Sequence, residues 1–135
     1  MSFLSAFNTS VSGMTAQRQR VNTISENIAN AETTRTPQGG PYRRREIVLA
    51  SVANDRTFEE ELLSQDRSVS TSTEVKVVGI VQDERPPILR FEPGHPDANE
   101  EGYVEMPNVN IMEEMVNLMS ANRSYEANTA AFNAT

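Results

Sequence analysis

Near the start of the chain, apolar residues fall at Phe7, Val11, Met14, Val21, Ile24 and Ile28, in steps of 4, 3, 7, 3 and 4. That spacing sets one coiled-coil-like seam along an α-helix, with Arg18 at the skipped position. It predicts a helix over residues 3–30, roughly 40 Å long at 1.5 Å per residue. Asn30, Thr33 and Thr34 weaken it, and Thr36-Pro37 ends it, because the residue before a proline disfavours helical backbone. At the other end the seam runs Ile111, Met115, Leu118, Asn122, Tyr125, Thr129, Phe132, in steps that alternate 4 and 3. Met112, Val116 and Met119 widen that stripe. Asn108 or Asn110 can cap the start, and Glu113 and Glu114 suit the positive end of the helix dipole. Asn122 and Thr129 interrupt the apolar seam, and a buried Asn can fix register at a cost in stability.

Between these segments the pattern changes. All seven prolines, and every glycine except Gly13, lie between Pro37 and Pro107. Tyr42–Leu49 is β-prone from Ile47, and the pattern reads its arginines, Arg43 to Arg45, as a solvated edge rather than an anion site. Glu74–Val81, Ile88–Phe91 and Tyr103–Met106 read as three more strands. Residues 54–73 are polar and acidic, with Phe58, Leu62 and Leu63 giving a helical turn or two and a serine- and threonine-rich loop over 68–73. The predicted class is α+β: long N- and C-terminal helices form a coiled-coil-like core element, with a small β-rich module between them. The predicted units are 1–36, 37–107 and 108–135.

One modest domain does not need two long terminal helices for its own core. The pattern favours packing against each other and against other copies, over a helical hairpin that merely closes a monomer. A membrane helix fits poorly, since the polar faces are not basic. An isolated helix with one apolar stripe is marginal in water, so the ends are expected to be disordered before assembly.

Charge sharpens this picture. Residues 1–45 carry six arginines and two acids, whereas the rest carries six basic and seventeen acidic residues. The asymmetry suits head-to-tail contact between copies, and the net charge of −7 argues against nucleic acid as the main ligand. There is no cysteine, which excludes disulfides, thiolate catalysis and cysteine-based zinc sites. No basic n-region or long apolar run suggests a cleaved signal or a membrane span.

Catalytic signals are weak. The single histidine, His95, sits in the turn Glu92-Pro93-Gly94-His95-Pro96-Asp97, and a lone loop His is usually structural or solvated. There is no Gly-x-Ser-x-Gly and no phosphate-cradling glycine loop. The expectation is a protein that is not an enzyme, with no catalytic residue, no metal, no cofactor and no small-molecule substrate. Two other readings compete with an assembly subunit: a secreted adaptor or cap that binds one partner without polymerising, and a hydrolase that uses His95.

Ser25-Glu26-Asn27-Ile28-Ala29-Asn30-Ala31-Glu32-Thr33 resembles the N-terminal motif of bacterial flagellar rod and hook proteins, Asn-Leu/Ile-Ala-Asn followed by a nearby Thr. A narrower resemblance, to the proximal-rod proteins of the flagellar basal body, lies in Pro41-Tyr42-Arg43-Arg44, Phe91–Ala98, Gly102–Asn110, Glu114–Asn117 and Ser120–Asn128. It spans nearly the whole chain in the right order. It implies a structural subunit of the periplasm-spanning rod, the drive shaft that transmits torque. The implied partners are other copies, other rod subunits and the flagellar type III export apparatus, with export from the cytoplasm without a cleaved signal. It implies an assembly motif at Asn27, Ile28, Ala29, Asn30 and Thr33, and terminal helices packed in an inner tube with the β-rich part outside. The family's C-terminal helix runs on past Asn133-Ala134-Thr135, so the chain is expected to be truncated at Thr135. Residues 50–73 are expected to be longer and more acidic than the family pattern.

Overall fold

In the computed structural model, which describes residues 3–53, 62 and 73–134, two long helices lie antiparallel and two β-hairpins flank them. Helix α1 spans Phe3–Ala29 and α2 spans Ile111–Ala134. Strands β1 (Arg45–Ala53) and β2 (Thr73–Gln82) form one antiparallel hairpin; β3 (Ile88–Phe91) and β4 (Tyr103–Met106) form another. The α+β class holds, with four strands in two separate two-stranded sheets. The expected helical turns over 54–72 lie outside the described residues apart from Leu62. Thr73, expected in a loop, opens β2.

Local chemistry sets the boundaries. Asn110 caps α2: its Oδ1 accepts from the Met112 and Glu113 amides at 3.1 and 3.3 Å, satisfying N–H groups that have no partner inside the helix. At the end of α1, the Asn30 amide and side-chain Nδ2 both donate to the Glu26 carbonyl, at 3.0 and 2.9 Å. The Thr33 hydroxyl then donates to Asn30 Oδ1 at 3.1 Å and turns the chain. Gly39 and Gly40 follow with φ of 84° and 73°, left-handed backbone in the turn that Thr36 closes.

The β1–β2 hairpin lies along α1, bonded by polar side chains of the helix. The Thr9 hydroxyl lies 2.8 Å from the Thr73 carbonyl, and Ser12 Oγ accepts from the Val75 amide at 3.1 Å. A register shift between Val48 and Leu49 marks a bulge. By contrast, among the described residues the backbone of the β3–β4 hairpin approaches no other element closely. Its loop is tied to the segment after α1, where Thr34 Oγ1 donates to Asp97 Oδ2 at 2.7 Å and Arg35 pairs with Asp97.

The helix pair is not held by large apolar knobs. The residues α1 buries are Ser5, Gly13, Ala16, Thr23, Ile24 and Asn27; those α2 buries are Glu114 and Ala121. At Gly13 the helices come so close that a Cβ there would stand 2.9 Å from Asn128 Nδ2. Phe7 meets Phe132 at the far end, with ring centroids 4.5 Å apart.

Gly13 yields a graded prediction. Gly13→Ala gains up to about 1 kcal/mol of helix propensity and needs Asn128 to turn aside, so its stability should change little. Gly13→Leu should destabilise by about 1–3 kcal/mol, since the extra atoms force the helices apart. Denaturant unfolding of both variants checks this; equal midpoints for the two would refute the close approach.

Candidate assembly interface

Asn27 sits one turn from the end of α1 and is fully buried, at 0% exposure. Its Oδ1 accepts from the Arg45 amide at 2.9 Å and from the Tyr42 hydroxyl at 2.8 Å. Its Nδ2 donates to the Arg45 carbonyl at 2.8 Å and to Glu114 Oε2 at 3.2 Å. Both amide hydrogens and both acceptor positions are thus filled. Two of the four bonds go to the backbone of one residue, so the side chain pairs with the edge of β1 as another strand would.

Glu114 completes the node. It is 1% exposed, and its second oxygen accepts from Arg44 Nε at 2.5 Å. Burial disfavours the charge on Arg44, but the hydrogen bond and charge of Glu114 outweigh that and push the guanidinium above its ordinary value. Burial likewise raises the Tyr42 phenol, and Arg45, whose guanidinium lies 5.9 Å above its ring, offsets part of that. Removing one member of a buried pair leaves the other uncompensated and costs about 3–5 kcal/mol. The expectation that Arg43 to Arg45 form a solvated edge is therefore corrected at Arg44: it binds a buried carboxylate.

The structure distributes the expected seam residues unevenly. Ile24 is buried; Phe7, Met14, Val21, Ile28, Leu118, Thr129 and Phe132 are half-buried. Met14 Sδ lies 3.3 Å from Thr129 Oγ1, across the helix pair. Val11, Ile111, Met115, Asn122 and Tyr125 are exposed. On α2 the buried line passes through Glu114 and Ala121 instead of Met115 and Asn122, a turn of one residue from the expected phase. The reason is size: Ala121 and Gly13 admit close helix approach, whereas the large side chains do not fit between the axes.

Within the expected motif, Asn27 is buried, Ile28, Asn30 and Thr33 are half-buried, and Ala29 is exposed. Asn27, Asn30 and Thr33 make hydrogen bonds inside the chain, and the side chains of Asn27 and Asn30 both reach backbone carbonyls. Glu114, Tyr42 and Arg45 were not identified as partners of Asn27, nor Arg44 as the partner of Glu114. A glutamate in a first helical turn reads as a dipole complement, and only the Ala121 and Asn128 line at spacing seven marks its face as inward.

The displaced apolar residues form an outer face. Met112, Val116 and Met119 are 73%, 60% and 62% exposed, with Ile111 and Met115 beside them. On α1, Phe3, Leu4 and Val11 are also exposed. A contiguous apolar strip of this kind marks an interaction surface. Among the described residues, no group of three His, Asp or Glu side chains could hold a metal ion, and no helix is long and apolar enough to cross a membrane. The His95 Nδ1 accepts from the Asp97 amide at 3.0 Å within its turn.

Two predictions follow from the bonding. Asn27→Ala should destabilise the chain by several kcal/mol, because each buried partner left unpaired costs about 1–3 kcal/mol. Asn30→Ala, at a half-exposed helix end, should cost at most about 1 kcal/mol; equal losses in thermal unfolding would refute the node. The hydrogen bond from Thr34, with Arg35 and His95 adding to it, holds the Asp97 carboxyl below its ordinary value. Its contribution is complete above pH of about 4 and is lost as pH falls through the lowered value. Asp97→Asn should flatten that acid limb when unfolding is followed against pH, and NMR titration of the Asp97 carboxyl in the unsubstituted chain should give a lowered midpoint.

Comparison with known proteins agrees at both ends of the chain. Residues 7–35 match the family model described as "Flagella basal body rod protein". Residues 100–135 match "Flagellar basal body rod FlgEFG protein C-terminal". Over its full length the chain is 42% identical to the flagellar basal-body rod protein FlgC of Borreliella burgdorferi, covering 91% of that protein. It is 44% identical to FlgC of Bacillus subtilis, again over its full length and covering 92% of the relative. With FlgC of Salmonella typhimurium the identity is 37%, over 98% of the chain and 90% of the relative.

Proposed function

The chain belongs to the FlgC family of flagellar basal-body rod proteins, and on that premise we propose that it enters the rod by laying the outer faces of its two helices against neighbouring subunits. It is a structural subunit of the flagellar basal-body rod, and its partners are other rod components. The finer reading is that those neighbours include further copies of this chain, that the packed helices transmit torque, and that the flagellar type III export apparatus delivers the chain. Catalysis has no part in this reading.

The observation that carries the proposal is the inversion of size across the helix pair. Small and polar residues face inward, and Met112, Met115, Val116 and Met119 face outward. Covering one such side chain removes roughly 1.5–3 kcal/mol of unfavourable hydration. Four on one helix supply enough to offset the ordering of two subunits against each other. Methionine also adapts to neighbours of different shape, which suits a subunit that meets more than one kind of partner. The exposed seam residues Val11, Ile111, Met115, Asn122 and Tyr125 belong to this outer surface, and Ile28 to Thr33 act through the turn that Asn27 fixes.

Val116→Asp with Met119→Asp tests this. Both sites are exposed, so the isolated chain should keep its unfolding free energy within about 0.5 kcal/mol of the original. Motility should be lost, and recovered basal bodies should lack the variant, because a carboxylate buried at a contact costs several kcal/mol. Glu113→Gln, also exposed, serves as the mild control. Normal motility of the double variant would sink the interface assignment.

A further inference from the structure

Sulfur in this chain is carried by methionine alone: there are six methionines and no cysteine. The fold sorts the described ones into two groups. Met106 is 7% exposed, beside Val104 on the buried face of β4. Met14 is half-buried, with its sulfur 3.3 Å from the Thr129 hydroxyl between the helices. Met112, Met115 and Met119 are instead 73%, 47% and 62% exposed. Their spacing of 3 and 4 residues puts all three on one face of α2.

A thioether in contact with water is open to peroxides, and this chain has no thiolate to compete for the oxidant. In that reaction a peroxide oxygen is transferred to sulfur. An S–O bond forms, the O–O bond breaks and sulfur gives up two electrons. The displaced hydroxide takes the proton of the transferred oxygen and leaves as water. The product is a sulfoxide, a polar group on a side chain that was apolar. On the isolated chain this changes little, because the three side chains already stand in water. Against a neighbouring subunit the sulfoxide oxygen has to be buried without an assured hydrogen-bond partner, and the adaptable apolar surface of methionine is lost.

We propose that Met112, Met115 and Met119 form a peroxide-oxidation site that controls entry of the free subunit into the rod. The reduced chain assembles, the chain carrying sulfoxides on this face is excluded, and a subunit already in place is shielded by its neighbours. This rests on the reading that the outer face of α2 is covered in the rod.

Three measurements decide it. Full-length chain is treated with limiting hydrogen peroxide, quenched with catalase and digested, and the sulfoxide at each methionine is followed by mass spectrometry. Met112, Met115 and Met119 should oxidise roughly tenfold faster than Met106, with the unfolding free energy of the product unchanged. Met106 keeping pace with Met112 overturns the site. Next, Met112→Gln, Met115→Gln and Met119→Gln are combined, which puts an uncharged polar group in place of each thioether at little cost in helix propensity. That variant should fold as the original does and lose motility. Normal motility overturns the proposal; the interface itself still stands if Val116→Asp with Met119→Asp abolishes motility, and falls too if it does not. Finally, intact basal bodies receive the same peroxide treatment, and the three sites should oxidise roughly tenfold more slowly than in free chain. Oxidation at the free-chain rate means the face is uncovered in the rod, and both the proposal and the interface assignment fall.

Discussion

The four hydrogen bonds of Asn27 decide where everything else lies. One neutral amide joins the end of α1 to the first residue of β1, to the tyrosine that precedes it and to the glutamate that opens α2. Three segments far apart in sequence are fixed by a side chain with no rotational choice left. A leucine there would bury more apolar area but would specify no partner. Because every member is satisfied, the low dielectric around the node strengthens its bonds; with one partner missing, the same surroundings would make the rest costly. Arg44 and Glu114 extend the node with a buried ion pair, which contributes little net stability while intact and costs much when one partner is removed.

This arrangement explains what could be read from the chain and what could not. Both long helices and all four strands were visible, because period and punctuation are local: Pro37 and Pro107 bracket the irregular middle, and Asn110 announces the start of α2. Asn27 was legible as a residue of consequence through the Asn-Ile-Ala-Asn motif, but not its direction of action. Its partners are 15, 18 and 87 positions away, and no local pattern links them. Which side of the α2 stripe closes on α1 was not legible for a related reason. Apolar periodicity identifies a face that wants cover, yet it does not say whether the cover comes from the same chain. Here Gly13, Ala16 and Ala121 took the inner side, and Met115 was left outside.

The two hairpins divide the labour between rigidity and presentation. The first is bound to α1 along its length by Thr9, Ser12 and Asn27, which satisfy strand edges that would otherwise invite pairing with another chain. The second pairs its strands only with each other and is anchored through Asp97 to the segment after α1. The turn closed by Thr36 is thus held from one side by Asn27 and Tyr42 and from the other by Asp97, so the path of the chain out of the helix is fixed before any neighbour arrives.

The inversion of the helix pair has a thermodynamic signature. Folding of a domain is normally accompanied by a large drop in heat capacity, because apolar surface leaves water at that moment. A chain whose inner seam is mostly small side chains and hydrogen-bonded amides, and whose Met112, Met115 and Met119 stay wet, surrenders less of that surface when it folds. Most of the heat-capacity change therefore belongs to association. Chilling weakens apolar attraction but leaves hydrogen-bonded contacts far less affected. Cold should loosen such subunits from one another before it loosens the fold of any one of them.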